Sequence, residues 1–349
     1  MKETLAKLVQ STVRDTAHDM DEKRAIPGEV ITKFRELGTA LSLIPEEHGG
    51  YGMPVSPLMN AVILEELAFG DMGYAVAATL PSLFIAPVID LGTDAQKAKY
   101  LPLFADGDCE GTLAICEPRF RFDAADPATA ATAKGGSYEI TGVKCFVPLA
   151  DRAKQMLVAA KCDGENSLLI VDAGTPGMAV GEREKNLGLN MLDTFTVHFN
   201  GCQVPKENKL CGADGYDKYL QKTRTALSAL GTGVARASFE YARNYAMERV
   251  QFGEPIASRQ SIAFMIAEMA YEVDAMRLMT WKAASALEAG RDAKRESYLA
   301  KLYAGEMAMK ITDYGVQVLG GHGYIREHPV ERYYRNGRGI AILEGMATV

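Results

Sequence analysis

The 349-residue sequence predicts an α+β multidomain protein that is helical, then β, then helical again. Three observations predict it. Apolar residues recur at three- and four-residue spacing up to about residue 112, the period switches to two between about 113 and 213, and helical spacing returns from about 214 onward. A chain longer than about 250 residues outgrows a single hydrophobic core. The expected division is an N-terminal helical domain over 1–112, a central antiparallel β domain over 113–213 and a C-terminal helical bundle domain over 214–349.

In the first part, Ile44-Pro-Glu-Glu-His-Gly-Gly-Tyr-Gly52 predicts a loop that its glycines let turn sharply. Val62, Ile63, Leu67 and Ala68 then recur at helical spacing. Thr93-Asp-Ala-Gln96 has the spacing of a capped helix start ahead of Tyr100 and Leu101. In the second part, Thr194 to Phe199 alternates strictly, so Phe195, Val197 and Phe199 share one face. Lys134-Gly-Gly136 and Gly174-Thr-Pro-Gly177 predict turns between strands. In the third part, Ile262, Ile266, Met269, Val273 and Met276 form a stripe that stops near Gly290, the pattern of helix–helix core.

Composition narrows the function classes. Hydrophobic residues at 48% and charged residues at 24% are the balance of a soluble globular protein. A net charge of −7 gives no reason to expect nucleic acid or an acidic membrane surface as partner. No run of eighteen apolar residues occurs, so no membrane span is expected, and the start lacks a signal-peptide core. Cys109, Cys116, Cys145, Cys162, Cys202 and Cys211 are then most simply reduced thiols, which points to a cytoplasmic location. The scattered histidines, with no H-x-x-x-H or C-x-x-C spacing, offer no metal site.

The chemistry concentrates near the C-terminal end. Arg249-Val-Gln-Phe252-Gly-Glu-Pro is followed by Gln317-Val-Leu-Gly320-Gly321-His-Gly-Tyr324 and then by Leu343-Glu344-Gly345. A guanidinium grips phosphate through its planar fork, and glycines let the backbone approach a ligand closely. An enzyme that binds a pyrophosphate cofactor and removes a proton needs those parts and a lone carboxylate. By position alone, Glu344 also reads as a solvated charge and Arg224 as an exposed helix cation.

These motifs, in this order and at this spacing, resemble the acyl-CoA dehydrogenase family, and the resemblance covers nearly the whole chain. It is strongest at 44–52, 91–107 and 224–345 and weakest at 116–150. The resemblance implies a C-terminal four-helix bundle, FAD as cofactor, and an oligomer, dimer or tetramer. It also implies oxidation of an acyl-CoA thioester to its 2-enoyl form in fatty acid metabolism, with electron-transferring flavoprotein as the usual acceptor. Glu344 would be the base that takes the α-proton, in an apolar cavity that raises its pKa toward neutrality. The base's own backbone N–H and a flavin ribityl hydroxyl would hold the enolate oxygen, and the β-hydrogen would leave as hydride. The other position at which the family places a base corresponds to Thr223, which cannot serve. Arg224 matches an arginine that holds the catalytic loop and approaches the acyl-CoA. In the family each FAD crosses a subunit interface. Arg249 and Phe252 match the neighbouring subunit's pyrophosphate contacts, and Gln317, Gly320 and Gly321 match its adenosine contacts.

The subunit's own share of the flavin site departs from the family pattern. Where the family has Thr-Glu-Pro-x-Ala-Gly-Ser-Asp, this chain has Cys116-Glu-Pro-Arg119-Phe-Arg121-Phe122-Asp123. Cys116, a poor donor, takes the place of the threonine that bonds the flavin ring, and Phe122 takes the place of a serine. Phe146-Val-Pro148 replaces Trp-Ile-Thr, and Pro148 has no N–H to give. After Gly345, Met346-Ala-Thr-Val replaces Thr-Ser-x-x-Gln. Each lost buried hydrogen bond is worth about 1 kcal/mol, so together they imply weaker cofactor binding. The main reading is an acyl-CoA dehydrogenase subunit with Glu344 as base. The alternative is a non-catalytic subunit of a heteromeric acyl-CoA dehydrogenase that completes a partner's FAD site, and a third is a flavin-free member with other thioester chemistry. Arg119 and Arg121 read equally as contacts for an anionic CoA phosphate and as surface charges.

Overall fold

The structure is a computed structural model and describes residues 2–36, 38–105 and 110–349; Cys109 lies outside them. The described residues between Lys2 and Ala105 are mainly helical. The Pro57–Gly70 helix begins where the Ser56 hydroxyl accepts from the Met59 N–H. Asp71 then caps the Met72–Thr79 helix through the Gly73 and Tyr74 amides. The capping box expected at Thr93 and Gln96 is present at the start of the Asp94–Tyr100 helix. The expected loop at 44–52 surrounds a 3-10 turn at Glu46–His48.

Among the described residues eight strands follow: β1 (Gly111–Ala114), β2 (Ala130–Lys134), β3 (Ser137–Pro148), β4 (Gln155–Cys162), β5 (Glu165–Asp172), β6 (Met178–Arg183), β7 (Thr194–Pro205) and β8 (Lys209–Cys211). They form one sheet in the order β6-β7-β3-β2-β4-β5-β8, with β1 beside β4. The strands joined by hairpins pair antiparallel, as β2 does with β3 and β4 with β5. Among the described residues, parallel pairing enters only where β1 and β2 each meet β4, because those connections cross over rather than turn back. In β7, Phe195, Val197 and Phe199 are buried while His198 is exposed, so the alternation in the sequence is the pleat itself.

From Ala213 onward the chain is mainly helical, built on Ala213–Glu248, Gln260–Glu288, Lys294–Leu319 and Val330–Ile340, with a short antiparallel hairpin of Val250–Gln251 and Glu254–Pro255 after the first. The Ala213–Glu248 helix is central and packs on the other three and on Pro57–Gly70. Its middle carries fully buried Ala226, Ala229, Ala235 and Ala237, small side chains that let neighbouring helices come close. Met269, Val273 and Met276 are buried, as their stripe predicts, while Ile262 and Ile266 are half-buried. Buried charges tie the first part to the third. Arg236 bonds Glu65 at 3.0 Å and Glu66 at 2.8 Å, and its guanidinium lies 3.9 Å from the Phe69 ring centre. Pro57–Gly70 is thereby clamped to the helix that carries Arg224.

The segment after Val330–Ile340 turns inward. Leu343, Met346, Ala347 and Val349 join the same core as the N-terminal helices, which places Glu344 at the seam between the sheet and the bundle. Among the described residues no single helix is long and apolar enough to cross a membrane; the apolar pair Met72–Thr79 and Ser82–Leu91, bent by 47°, lies largely inside the core.

Candidate active site

Glu344 is held first by its backbone. Gly345 has φ +70°, and a Cβ there would come within 2.9 Å of both Ile115 Cδ1 and Leu113 Cδ2. Only glycine fits both the left-handed turn and the packing. Cys116, just beyond the end of β1, faces the same peptide. The Glu344 N–H donates to Cys116 Sγ at 3.2 Å, and the thiol donates to the Glu344 carbonyl at 3.5 Å. Burial pushes the Cys116 thiol up to about 12, so it remains a protonated donor at neutral pH.

The side chain of Glu344 is 7% exposed, so it is not a solvated tail charge. Its Oε1 lies 3.4 Å from Arg224 Nε and 3.0 Å from Lys301 Nζ. Its Oε2 is buried and has no hydrogen-bond partner among the described residues. The cavity expected around the acid was apolar; the structure instead sets two cations against one oxygen. Arg224 is itself buried, which removes its reading as an exposed cation. Its Nη2 lies 3.9 Å from Asp123 Oδ1 and its guanidinium 5.4 Å from the Tyr298 ring centre. Thr223, beside it, is fully buried and bonds the Leu220 carbonyl of its own helix. Sequence reasoning missed Lys301. The one available signal was a cation set among apolar neighbours in Leu299-Ala-Lys301-Leu-Tyr303. A cavity of about 400 Å³ adjoins Glu344, lined by Tyr298, Lys301, Glu306 and Arg338 among others.

The loop after Cys116 is anchored by a buried ion pair. Lys144 Nζ lies 2.9 Å from Glu117 Oε1, with both side chains almost fully buried. Burial by itself would raise the Glu117 carboxyl, but the Lys144 charge and the Ala128 and Thr129 amides hold it at about 2. Arg119 pairs with Glu117 at 3.2 Å and also bonds the Asp126 carbonyl. Arg121 is exposed, 5.4 Å from the Phe120 ring centre. Phe122 is half-buried against the core. The Phe146 N–H donates to the Glu184 carboxylate at 3.1 Å, and the Pro148 carbonyl accepts from the Thr112 hydroxyl at 2.6 Å. A cleft of about 280 Å³ separates Phe146 from Leu343.

Arg249, Phe252, Gln317, Gly320 and Gly321 come together elsewhere, along one open groove of about 1120 Å³. Phe252 and Gln317, 65 positions apart in the chain, meet there because the turn after Ala213–Glu248 lies against the end of Lys294–Leu319. Nothing lies within 4 Å of where a Cβ would sit on Gly320 or Gly321, so bare backbone faces the groove. Arg249 is exposed and makes no ion pair among the described residues, and Phe252 is 92% exposed. An unpaired guanidinium beside bare backbone suits a pyrophosphate-bearing cofactor. The donors near Cys116 and Phe146, by contrast, are committed within the protein. Glu344 does not line the groove, and the structure does not bring the two regions together within one chain.

Comparison with known proteins gives a consistent match along the chain. Residues 1–108, 112–202 and 212–349 match the N-terminal, middle and C-terminal domains of acyl-CoA dehydrogenase. The chain is 32% identical to the short-chain specific acyl-CoA dehydrogenase, mitochondrial, of Rattus norvegicus, covering 100% of this chain and 87% of that protein. The structure of butyryl-CoA dehydrogenase from Megasphaera elsdenii is similar at 30% identity and a TM-score of 0.86, covering 99% and 94% of the two chains. A chain from a structure described as the electron transferring flavoprotein of Acidaminococcus fermentans is similar at 31% identity and a TM-score of 0.87, covering 99% and 93%.

Proposed function

Because the chain belongs to the acyl-CoA dehydrogenase family, whose FAD-dependent members oxidise the α,β bond of an acyl-CoA thioester, we propose that Glu344 is the base that takes the α-proton. The observation that carries this reading is the buried carboxylate with one oxygen doubly paired and the other unpartnered. A base needs a lone pair already free of hydrogen bonds, and Oε2 has one. Bound FAD would supply the hydride-accepting chemistry for the β-hydrogen. Arg224 orients the acid from the Ala213–Glu248 helix, and the Tyr298 ring backs its guanidinium. The Glu344 N–H is the donor for the developing enolate oxygen. Since that N–H meets Cys116 Sγ, the thioester carbonyl takes the thiol's place when it binds.

Arg249 and Phe252 are assigned to the pyrophosphate end of FAD, and Gln317, Gly320 and Gly321 to its adenosine end. Because the groove and the acid do not meet within one chain, these residues serve the FAD of a neighbouring protomer in a dimer or tetramer. Cys116 contacts the flavin from the chain that carries Glu344. Electron-transferring flavoprotein is the expected acceptor, the cytoplasm the expected location, and 1–112, 113–213 and 214–349 the expected units of the chain. A subunit that only completes a partner's cofactor site has no use for a buried acid held by two cations, so the catalytic reading is preferred. Glu344→Gln tests it: turnover should fall by about 100-fold or more with FAD retained. Undiminished turnover removes Glu344 from the mechanism.

A further inference from the structure

We infer that Lys301 is a positioning residue for the Glu344 base: together with Arg224 it pins Oε1, and so assigns proton acceptance to Oε2. The inference rests on Glu344 being the base. Arg224 reaches Oε1 from the Ala213–Glu248 helix and Lys301 reaches the same oxygen from Lys294–Leu319, at 3.4 and 3.0 Å. The backbone of the acid is held separately by the Cys116 thiol. Three elements thus fix one side chain: two donors set the rotation of the carboxylate plane, and the thiol sets where that plane begins.

The asymmetry is the informative part. An ion pair built only for stability gains by spreading its donors over both oxygens, since a buried oxygen without a partner is a cost. Here both cations crowd Oε1 while Oε2 is buried and empty. A proton arriving on Oε2 breaks no existing hydrogen bond, and both cations stay in place after it arrives. Lys301 also differs from Arg224 in reach. Its side chain is 14% exposed and lines the cavity of about 400 Å³ beside Glu344.

Lys301→Met and Lys301→Arg, purified with FAD bound, test this. In Lys301→Met only Arg224 holds Oε1, so the carboxylate plane is less fixed and kcat should fall about 10- to 100-fold. KM, FAD content and Tm should stay near those of the unaltered protein, and Lys301→Arg should recover most of kcat. Labelling of Glu344 in cofactor-free protein, with a water-soluble carbodiimide and an amine read by peptide mass spectrometry, supplies a readout independent of turnover. It should rise several-fold in Lys301→Met. Should that variant not fold, Lys301→Gln replaces it in both measurements. Unaltered kcat and labelling overturn the inference, and so does a loss of kcat that simply follows Tm and FAD content in both variants. If Glu344→Gln is inactive while Lys301→Met is unimpaired, only the role of Lys301 fails; if Glu344→Gln turns over normally, the base assignment itself fails.

Discussion

Cys116 and Glu344 hold each other through both halves of one peptide unit: the Glu344 N–H donates to Sγ at 3.2 Å, and the thiol donates to the Glu344 carbonyl at 3.5 Å. A side chain 228 positions away therefore fixes the backbone of the proposed base. Cys116→Ala removes both bonds at once. It should destabilise the protein by about 1–2 kcal/mol in a denaturant titration and lower kcat/KM by less than about tenfold. Because burial holds the thiol at about 12, thiol reagents at pH 8 should spare Cys116 in the folded protein. Rapid modification of Cys116 in that state contradicts the buried position.

Gly345 is the second constraint on the same loop. Gly345→Ala adds a Cβ against Ile115 and Leu113 at a left-handed position. The expected cost is about 1–3 kcal/mol, read from the unfolding midpoint, with kcat falling because Glu344 shifts with its neighbour. Wild-type stability and turnover in this variant would show that the turn has room to relax.

Arg224→Lys should reduce kcat about tenfold and Arg224→Ala about 100-fold, with FAD content preserved in both. Lysine keeps the charge but loses the planar group that spans Glu344, Asp123 and the Tyr298 ring. Equal activity of the two variants would mean that charge, and not shape, is what Arg224 supplies.

The groove can be tested without turnover. Arg249→Ala and Gly321→Val should each weaken FAD binding about tenfold or more, measured as flavin absorbance retained after gel filtration. Both positions face solvent in the single chain, so Tm of the cofactor-free protein should change little. Full FAD retention in Arg249→Ala rules out this groove as the pyrophosphate site.

Glu117 governs acid stability. Its carboxyl lies at about 2 in the folded protein against an ordinary 4.5, so its stabilisation is complete above about pH 4.5 and is lost as pH falls toward 2. Glu117→Gln leaves Lys144 buried without its counter-charge and should cost about 3 kcal/mol at pH 7. The gap between the two proteins should close as pH drops through that window. A gap that stays constant down to pH 2 would show that the charge of Glu117 is not what stabilises the loop.

Local patterning went far in this chain. Alternation at Phe195, Val197 and Phe199, the capping box at Thr93 and the stripe through Met269, Val273 and Met276 each depend on neighbours within a few residues, so each is readable from spacing. Gly320 and Gly321 leave bare backbone, with nothing within 4 Å of where a Cβ would sit. What surrounds Glu344 was not readable from spacing. Lys301, Arg224 and Cys116 reach it from 43, 120 and 228 positions away. Whether such side chains meet is set by how helices and sheet pack, because a helix presents each residue to a partner chosen by its crossing angle and rotation. Periodicity marks which face of a helix turns inward; it carries no information about which atom waits on the other side. Packing alone decided that the acid would sit between two cations, with one oxygen held and the other left open.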